Sequence, residues 1–143
     1  MIEINNLTAN PIGENFLKKI AEKVLKGENR KGIDLSIALV GEKRMKGLNR
    51  KYRKKNRPTD ILAFGNKEVI NLKLGVKEAA EIVICPAAVR KNSARFNSIF
   101  KKELARVLIH GILHLSGYDH ERNARNAGKM NKKEAYYLNL FFK

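Results

Sequence analysis

From Leu104 to Leu115 the chain reads LARVLIHGILHL, apolar nearly all round a helix. A helix of that kind has little face to offer water, so the rest of the fold must be arranged around it. Two imidazoles, His110 and His114, interrupt the run. Inside a buried segment they need partners, because an unsatisfied polar group costs on the order of 1–3 kcal/mol. Gly111 costs about 1 kcal/mol against alanine in mid-helix, which implies that something approaches the backbone closely there.

The elements on either side can be read from their periodicity. Met1 to Leu7 alternates weakly and reads as a short strand. Asn10 is placed to cap a helix with Pro11 at its first position; Ile12, Phe16, Leu17, Ile20, Val24 and Leu25 follow at helical spacing, and Gly27 ends it. Ile33, Leu35, Ile37 and Leu39 alternate with Asp34, Ser36 and Ala38, the pattern of a strand with one buried face. A short helix over Glu42 to Tyr52, with Met45, Leu48 and Tyr52 inward, leads into the basic loop Arg53 to Pro58. Ile61 to Phe64 and Ile82 to Cys85 read as strands, and Asn66 to Ala80 reads equally as a loop or a hairpin arm. Pro86 opens a helix to about Phe96, a longer one runs from Ser98 to about Leu115, and a last one fills roughly Asn123 to Phe142. The order β-α-β-α-β-β-α-α-α gives an α+β fold, a small mixed four-stranded sheet packed by helices. No repeat, low-complexity tract or Pro/Gly-rich linker divides the chain, so residues 1–143 are read as one domain.

Composition narrows the classes further. With 43% hydrophobic and 31% charged residues the chain is globular and not disordered. No apolar run approaches the roughly 20 residues of a membrane span, and the start MIEINN does not resemble a secretory signal. Cys85 is the single cysteine, so no intrachain disulfide forms, and the expected location is the cytoplasm. Lys and Arg number 30 against 14 Asp and Glu, a net charge of +16. A polyanion is the natural partner of such a surface, since each neutralised phosphate releases counterions, although a Lys-rich solvated surface gives the same count.

All three histidines fall within HGILHLSGYDH. His110 and His114 are i and i+4, on one helix face a turn apart, where two imidazoles can share a metal. Gly117 stands where a helix C-terminus takes a left-handed residue, which would turn the chain so that His120 returns as a third ligand. Three imidazoles leave a fourth tetrahedral position open, the catalytic arrangement and not the closed structural one. One zinc ion per chain is the expected cofactor, though nickel, copper or iron also bind imidazole. No small organic cofactor is expected.

The spacing His-x3-His-x2-Gly-x2-His is that of the metzincin peptidases, but Gly111 stands where those enzymes carry the general-base glutamate. Read as a whole, HGILHLSGYDH resembles the YbeY family of bacterial rRNA maturation factors, described as zinc-dependent single-strand endoribonucleases. The block LNRKYRKKNRPTDILAF, from Leu48 to Phe64, is similar to that family's Leu-Asn…Tyr-Arg…Pro-Thr-Asp-Val-Leu-Ser-Phe segment, and Glu81 to Pro86 is similar to part of its Gly-Asp-Ile-Val-Ile-Cys-Pro turn. The resemblance covers about Leu48 to Met130. Asn56, Ala63 and Ala80-Glu81 depart from the family's aspartate, serine and Gly-Asp, and none of these departures removes a candidate ligand.

The resemblance implies that His110, His114 and His120 hold the metal, with His114 and Arg53 in the catalytic set. Zinc would activate a water or polarise a phosphoryl oxygen, and an arginine would clamp the phosphodiester. Arg50, Lys51, Arg53, Lys54, Lys55 and Arg57 would guide single-stranded RNA, the alternative being a merely solvated loop. Asp119 would orient a ligand or cap the last helix, and Met130 is a core residue or a floor beneath the metal. No residue stands out as the general base. The implied partners are rRNA, at the 3′ end of the small-subunit RNA, and the ribosome or its proteins, in maturation and quality control. The competing readings are an assembly factor that binds rRNA without cutting it and, less well supported, a zinc peptidase.

Overall fold

A computed structural model describes residues 1–30, 32–65, 78–117 and 124–142, for residue 124 the backbone alone. Four strands, β1 (Ile2–Asn6), β2 (Asp34–Leu39), β3 (Ile61–Phe64) and β4 (Ala79–Ile84), form one sheet in the order β1-β2-β4-β3. β1 and β4 both run parallel to β2, and β3 pairs antiparallel with β4. Five helices accompany it: α1 (Glu14–Gly27), α2 (Glu42–Arg53), α3 (Pro86–Arg95), α4 (Phe100–Leu115) and α5 (Ala124–Phe141). The α+β architecture with a four-stranded mixed sheet is the one expected from the element order.

The register shows why both faces are covered. Ile4, Ile37, Ile82 and Ala63 are successive partners across the four strands, so a row of apolar side chains crosses one face. That face meets α1 and α4, with α5 packed on α4, and Leu17, Ile20, Leu108, Ile112, Met130 and Tyr137 join in the main core. On the opposite face Leu62, Phe64, Val83 and Cys85 pack against Met45 and Leu48 of α2. Cys85 is fully buried, and that burial pushes its thiol up, away from nucleophilic use. α4 lies at the centre, with Leu104, Val107, Leu108, Ile109, Ile112 and Leu113 all buried.

Two element boundaries differ from the sequence reading. α1 begins at Glu14 behind Gly13, not at Pro11. Asn10 is used elsewhere: its carbonyl accepts the Asn6 Nδ2 at 2.7 Å and the Thr8 Oγ1 at 3.1 Å, which ties residues 6–10 into a turn before the helix starts. β4 begins at Ala79, so the end of the ambiguous stretch belongs to the sheet, while residues 66–77 lie outside the described residues.

The C-terminal end of α1 meets α5 at one tight point. Tyr137 is 2% exposed and its hydroxyl donates to Glu28, whose carboxylate also pairs with Lys133 at 3.4 Å. A Cβ on Gly27 would overlap the Tyr137 hydroxyl and ring. Gly27→Ala is therefore expected to lower stability by about 1–3 kcal/mol, although alanine is the better helix former. A denaturation midpoint at or above wild type would show that Tyr137 gives way freely.

Candidate functional site

α4 is less uniform than its hydropathy suggests. Glu103, Arg106, His110 and His114 recur at i, i+3, i+7 and i+11, a polar stripe along one edge of the buried helix. The two imidazoles accordingly sit at the rim of the core: His110 is 25% exposed and His114 is exposed. Their ring centroids are 5.3 Å apart at 71°. The expectation that they are buried is thus corrected. His110 has a protein partner, and no described buried side-chain polar atom lacks one.

That partner is Glu134 of α5, which the sequence reading did not single out. Its Oε2 lies 2.9 Å from His110 Nδ1, and its Oε1 accepts from Arg106 Nη1 at 3.2 Å. Arg106 in turn holds the buried Glu103 through Nε at 3.0 Å and through Nη2. Burial alone would raise the Glu134 carboxyl, but the His110 hydrogen bond and the His110 and Arg106 charges outweigh it and hold the group below the usual carboxylate range. An ionised carboxylate only accepts, so Nδ1 of His110 carries the proton in this hydrogen bond. A signal for Glu134 was present: Met130, Glu134, Tyr137, Leu138 and Phe141 form the inward stripe of α5, with one acid on it.

A groove of about 770 Å³ runs beside this edge. One wall carries His110, Gly111 and His114; the other carries Arg53, Lys55 and Arg57, with Thr59, Ile61 and Ala63 between. Arg53 leaves the end of α2 and reaches β3, donating from Nη2 to the Ala63 carbonyl at 3.0 Å with its guanidinium 5.0 Å from the Phe64 ring centre. Asn49, 3% exposed, donates to the Arg57 carbonyl at 2.8 Å and so folds the basic loop back onto α2. Lys54 takes a left-handed turn at φ 61°. Of the six basic residues read as RNA contacts, Arg53, Lys55 and Arg57 line the groove, whereas Arg50, Lys51 and Lys54 are not among its lining residues. Met130 is fully buried in the main core.

Gly117 has φ +103° and ends α4 with the left-handed turn that its position called for. His120, like Tyr118, Asp119 and Glu121, lies outside the described residues. Among the described residues no group of three His, Cys, Asp or Glu side chains could hold a metal ion.

Gly111 sets the spacing of the two walls. A Cβ there would come 2.5 Å from Ile61 Cδ1 and 3.5 Å from Ile82 Cδ1, so the missing side chain lets α4 lie directly on β3. The close approach inferred from the sequence is thus the contact with Ile61. Gly111→Ala is expected to lose about 1 kcal/mol net, overpacking against Ile61 outweighing the gain in helix propensity. Ile61→Val, which removes the Cδ1 methyl, should recover part of that loss in the double variant; strictly additive effects in a double-mutant cycle would refute the contact.

The chain is thus an α+β fold in which a mixed sheet is crossed by one buried helix, with two imidazoles and three cationic side chains lining one groove. Residues 3–141 match the family described as Endoribonuclease YbeY, and the chain belongs to that family. The protein of that name from Thermotoga maritima is 39% identical over 125 residues, covering 87% of this chain and 77% of that protein. Its Legionella pneumophila (strain Corby) counterpart is 37% identical over 139 residues, covering 96% and 87%. A solution structure of a Thermotoga maritima protein superposes with a TM-score of 0.66 at 36% identity, over 96% of this chain and 87% of that one. No described helix is long and apolar enough to cross a membrane.

Proposed function

We propose that this protein is a metal-dependent endoribonuclease that cuts single-stranded RNA in rRNA maturation, at the 3′ end of the small-subunit RNA, in association with the ribosome in the cytoplasm. The observation that carries the reading is that two imidazoles and three cationic side chains line the same groove. The family and its relatives are described as endoribonucleases, which points the same way.

The donor set fits a metal of the zinc type. With Nδ1 of His110 bound to an ionised carboxylate, Nε2 is left as the ligating nitrogen, the usual arrangement of a carboxylate-oriented metal histidine. His114 stands one turn along on the same helix edge. His110 and His114 would hold the ion with His120, and the ion would supply Lewis acidity at a phosphoryl oxygen. Arg53, anchored to the Ala63 carbonyl, brings a fixed positive charge to the opposite wall, where it orients the phosphodiester and stabilises charge that develops during cleavage. Lys55 and Arg57 extend the positive wall along which the backbone runs.

Two experiments test this. Wild-type protein with its metal quantified should hold about one zinc per chain and cut single-stranded RNA, and His114→Ala should lose both properties. Arg53→Ala should keep the metal and lose roughly 10²–10³ in kcat. Stoichiometric metal with RNA bound but left intact would overturn the nuclease reading in favour of an assembly factor, and digestion of casein would favour a peptidase. In the second experiment, Glu134→Gln is expected to weaken metal affinity about 10–100-fold in competition with a chromophoric chelator while the fold is kept. Unchanged affinity would remove Glu134 from the site.

A further inference from the structure

On α5, Glu134 faces His110, and the preceding residue, Lys133, opens onto a different concavity. This second cavity, of about 690 Å³, lies between α1 and α5 and shares no lining residue with the groove. Its walls are Lys23 and Lys26 of α1 and Lys129, Lys132 and Lys133 of α5, with Gly27, Tyr136 and Tyr137. Lys133 is engaged by Glu28, but Lys23, Lys26, Lys129 and Lys132 are exposed and make no ion pair with any described carboxylate. Four unneutralised ammonium groups around one hollow repel each other, and an anion relieves that repulsion. The hollow is also built on rigid parts. Tyr137 is held by Glu28 and requires a glycine at position 27, and it supports Tyr136 in an edge-to-face contact at 5.1 Å. Tyr136 itself is 58% exposed.

We propose that this cavity is a second binding site for single-stranded RNA, separate from the groove, with phosphates on the four lysines and an unpaired base stacked on Tyr136. Lysines tracking a backbone beside an exposed, braced aromatic ring are the combination that single strands select, because every base has a face to stack and only an unpaired base exposes it. Positions 133 and 134 are consecutive on α5, about 100° apart around the helix, so the carboxylate that holds His110 of the groove is next in sequence to a residue that lines the cavity. One strand crossing α5 would engage both and gain effective concentration at the groove. The inference rests on RNA being the ligand and not on its being cut.

The test is equilibrium binding, read by fluorescence anisotropy with a labelled single-stranded RNA of about 20 nucleotides. His114→Ala is the background, so that no cleavage intervenes. Adding Lys26→Gln, Lys129→Gln and Lys132→Gln should weaken binding roughly 10- to 100-fold near 0.1 M salt and lower the salt slope by about 2. Tyr136→Ala should weaken the single strand about tenfold and leave an RNA duplex of equal length unaffected. Wild-type affinity and slope in the lysine variant would overturn the site. Competition by polyglutamate as effective as by RNA, with Tyr136→Ala inert, would replace RNA with an acidic protein. In the otherwise wild-type protein, the lysine variant should cut a short oligonucleotide that fits the groove alone at the unaltered rate; a reduced rate there would overturn the separation of the two sites.

Discussion

The contact of Gly111 with Ile61 fixes how closely α4 lies on the sheet, and most of the molecule follows from that closeness. Six large aliphatic side chains of α4 are buried, each contributing about 1.5–3 kcal/mol on full burial, an upper estimate because the unfolded chain already hides part of them. The row of Ile4, Ile37, Ile82 and Ala63 gives α4 its floor, and α1, α3 and α5 close around it. An alanine at 111 would press on the Ile61 side chain of β3, the strand that anchors Arg53. Core packing therefore sets the width of the groove.

The polar edge of α4 answers a second constraint. Glu103, Arg106, Glu134 and His110 alternate in character along one connected network, partly withdrawn from water. Glu103 is the most buried member, and its charge is tolerable because Arg106 directs two N–H donors, from Nε and Nη2, at its Oε1. Arg106 then shares Glu134 with His110, so the same carboxylate joins α5 to α4 and selects the tautomer of the imidazole. One set of interactions serves both docking and orientation, which is why Glu134 belongs with the site although it does not line the groove.

The sequence made the architecture legible wherever one periodicity dominated. The alternation at Ile33 to Leu39 and the apolar run from Leu104 to Leu115 left little choice of element, and the mixed sheet followed from their order. The start of α1 was misread because Asn10 and Pro11 satisfy the local rule for a helix N-terminus, while the Asn6 and Thr8 side chains compete for the Asn10 carbonyl. The imidazoles were misjudged as buried for a related reason. Hydropathy averages around a helix, and the stripe of Glu103, Arg106, His110 and His114 shows only when polar positions are traced at i, i+3, i+7 and i+11. The inward stripe of α5 marks Glu134 as an acid facing the core, but nothing local says that it will meet a histidine 24 residues earlier. In the basic loop the charge is legible but not which side chains turn inward, because the Asn49 bond to the Arg57 carbonyl and the left-handed Lys54 settle that.

The two kinds of cation are placed differently, and their chemistry explains the division. Arginines stand where direction matters: Arg53 is fixed by a carbonyl and an aromatic face, and Arg106 bridges two carboxylates. A planar guanidinium holds such geometry with little further loss of freedom. Lysines collect on the exposed faces of α1 and α5, where a hydrated point charge on a flexible stem attracts an anion without defining its pose. A net charge of +16 on a chain of this size is self-repulsive, and a chain that needed charge only for solubility would do better to spread it. Here cations converge on two hollows, one lined by the basic loop, β3 and α4 and the other by α1 and α5, an arrangement that favours an extended anion able to reach both over a compact one.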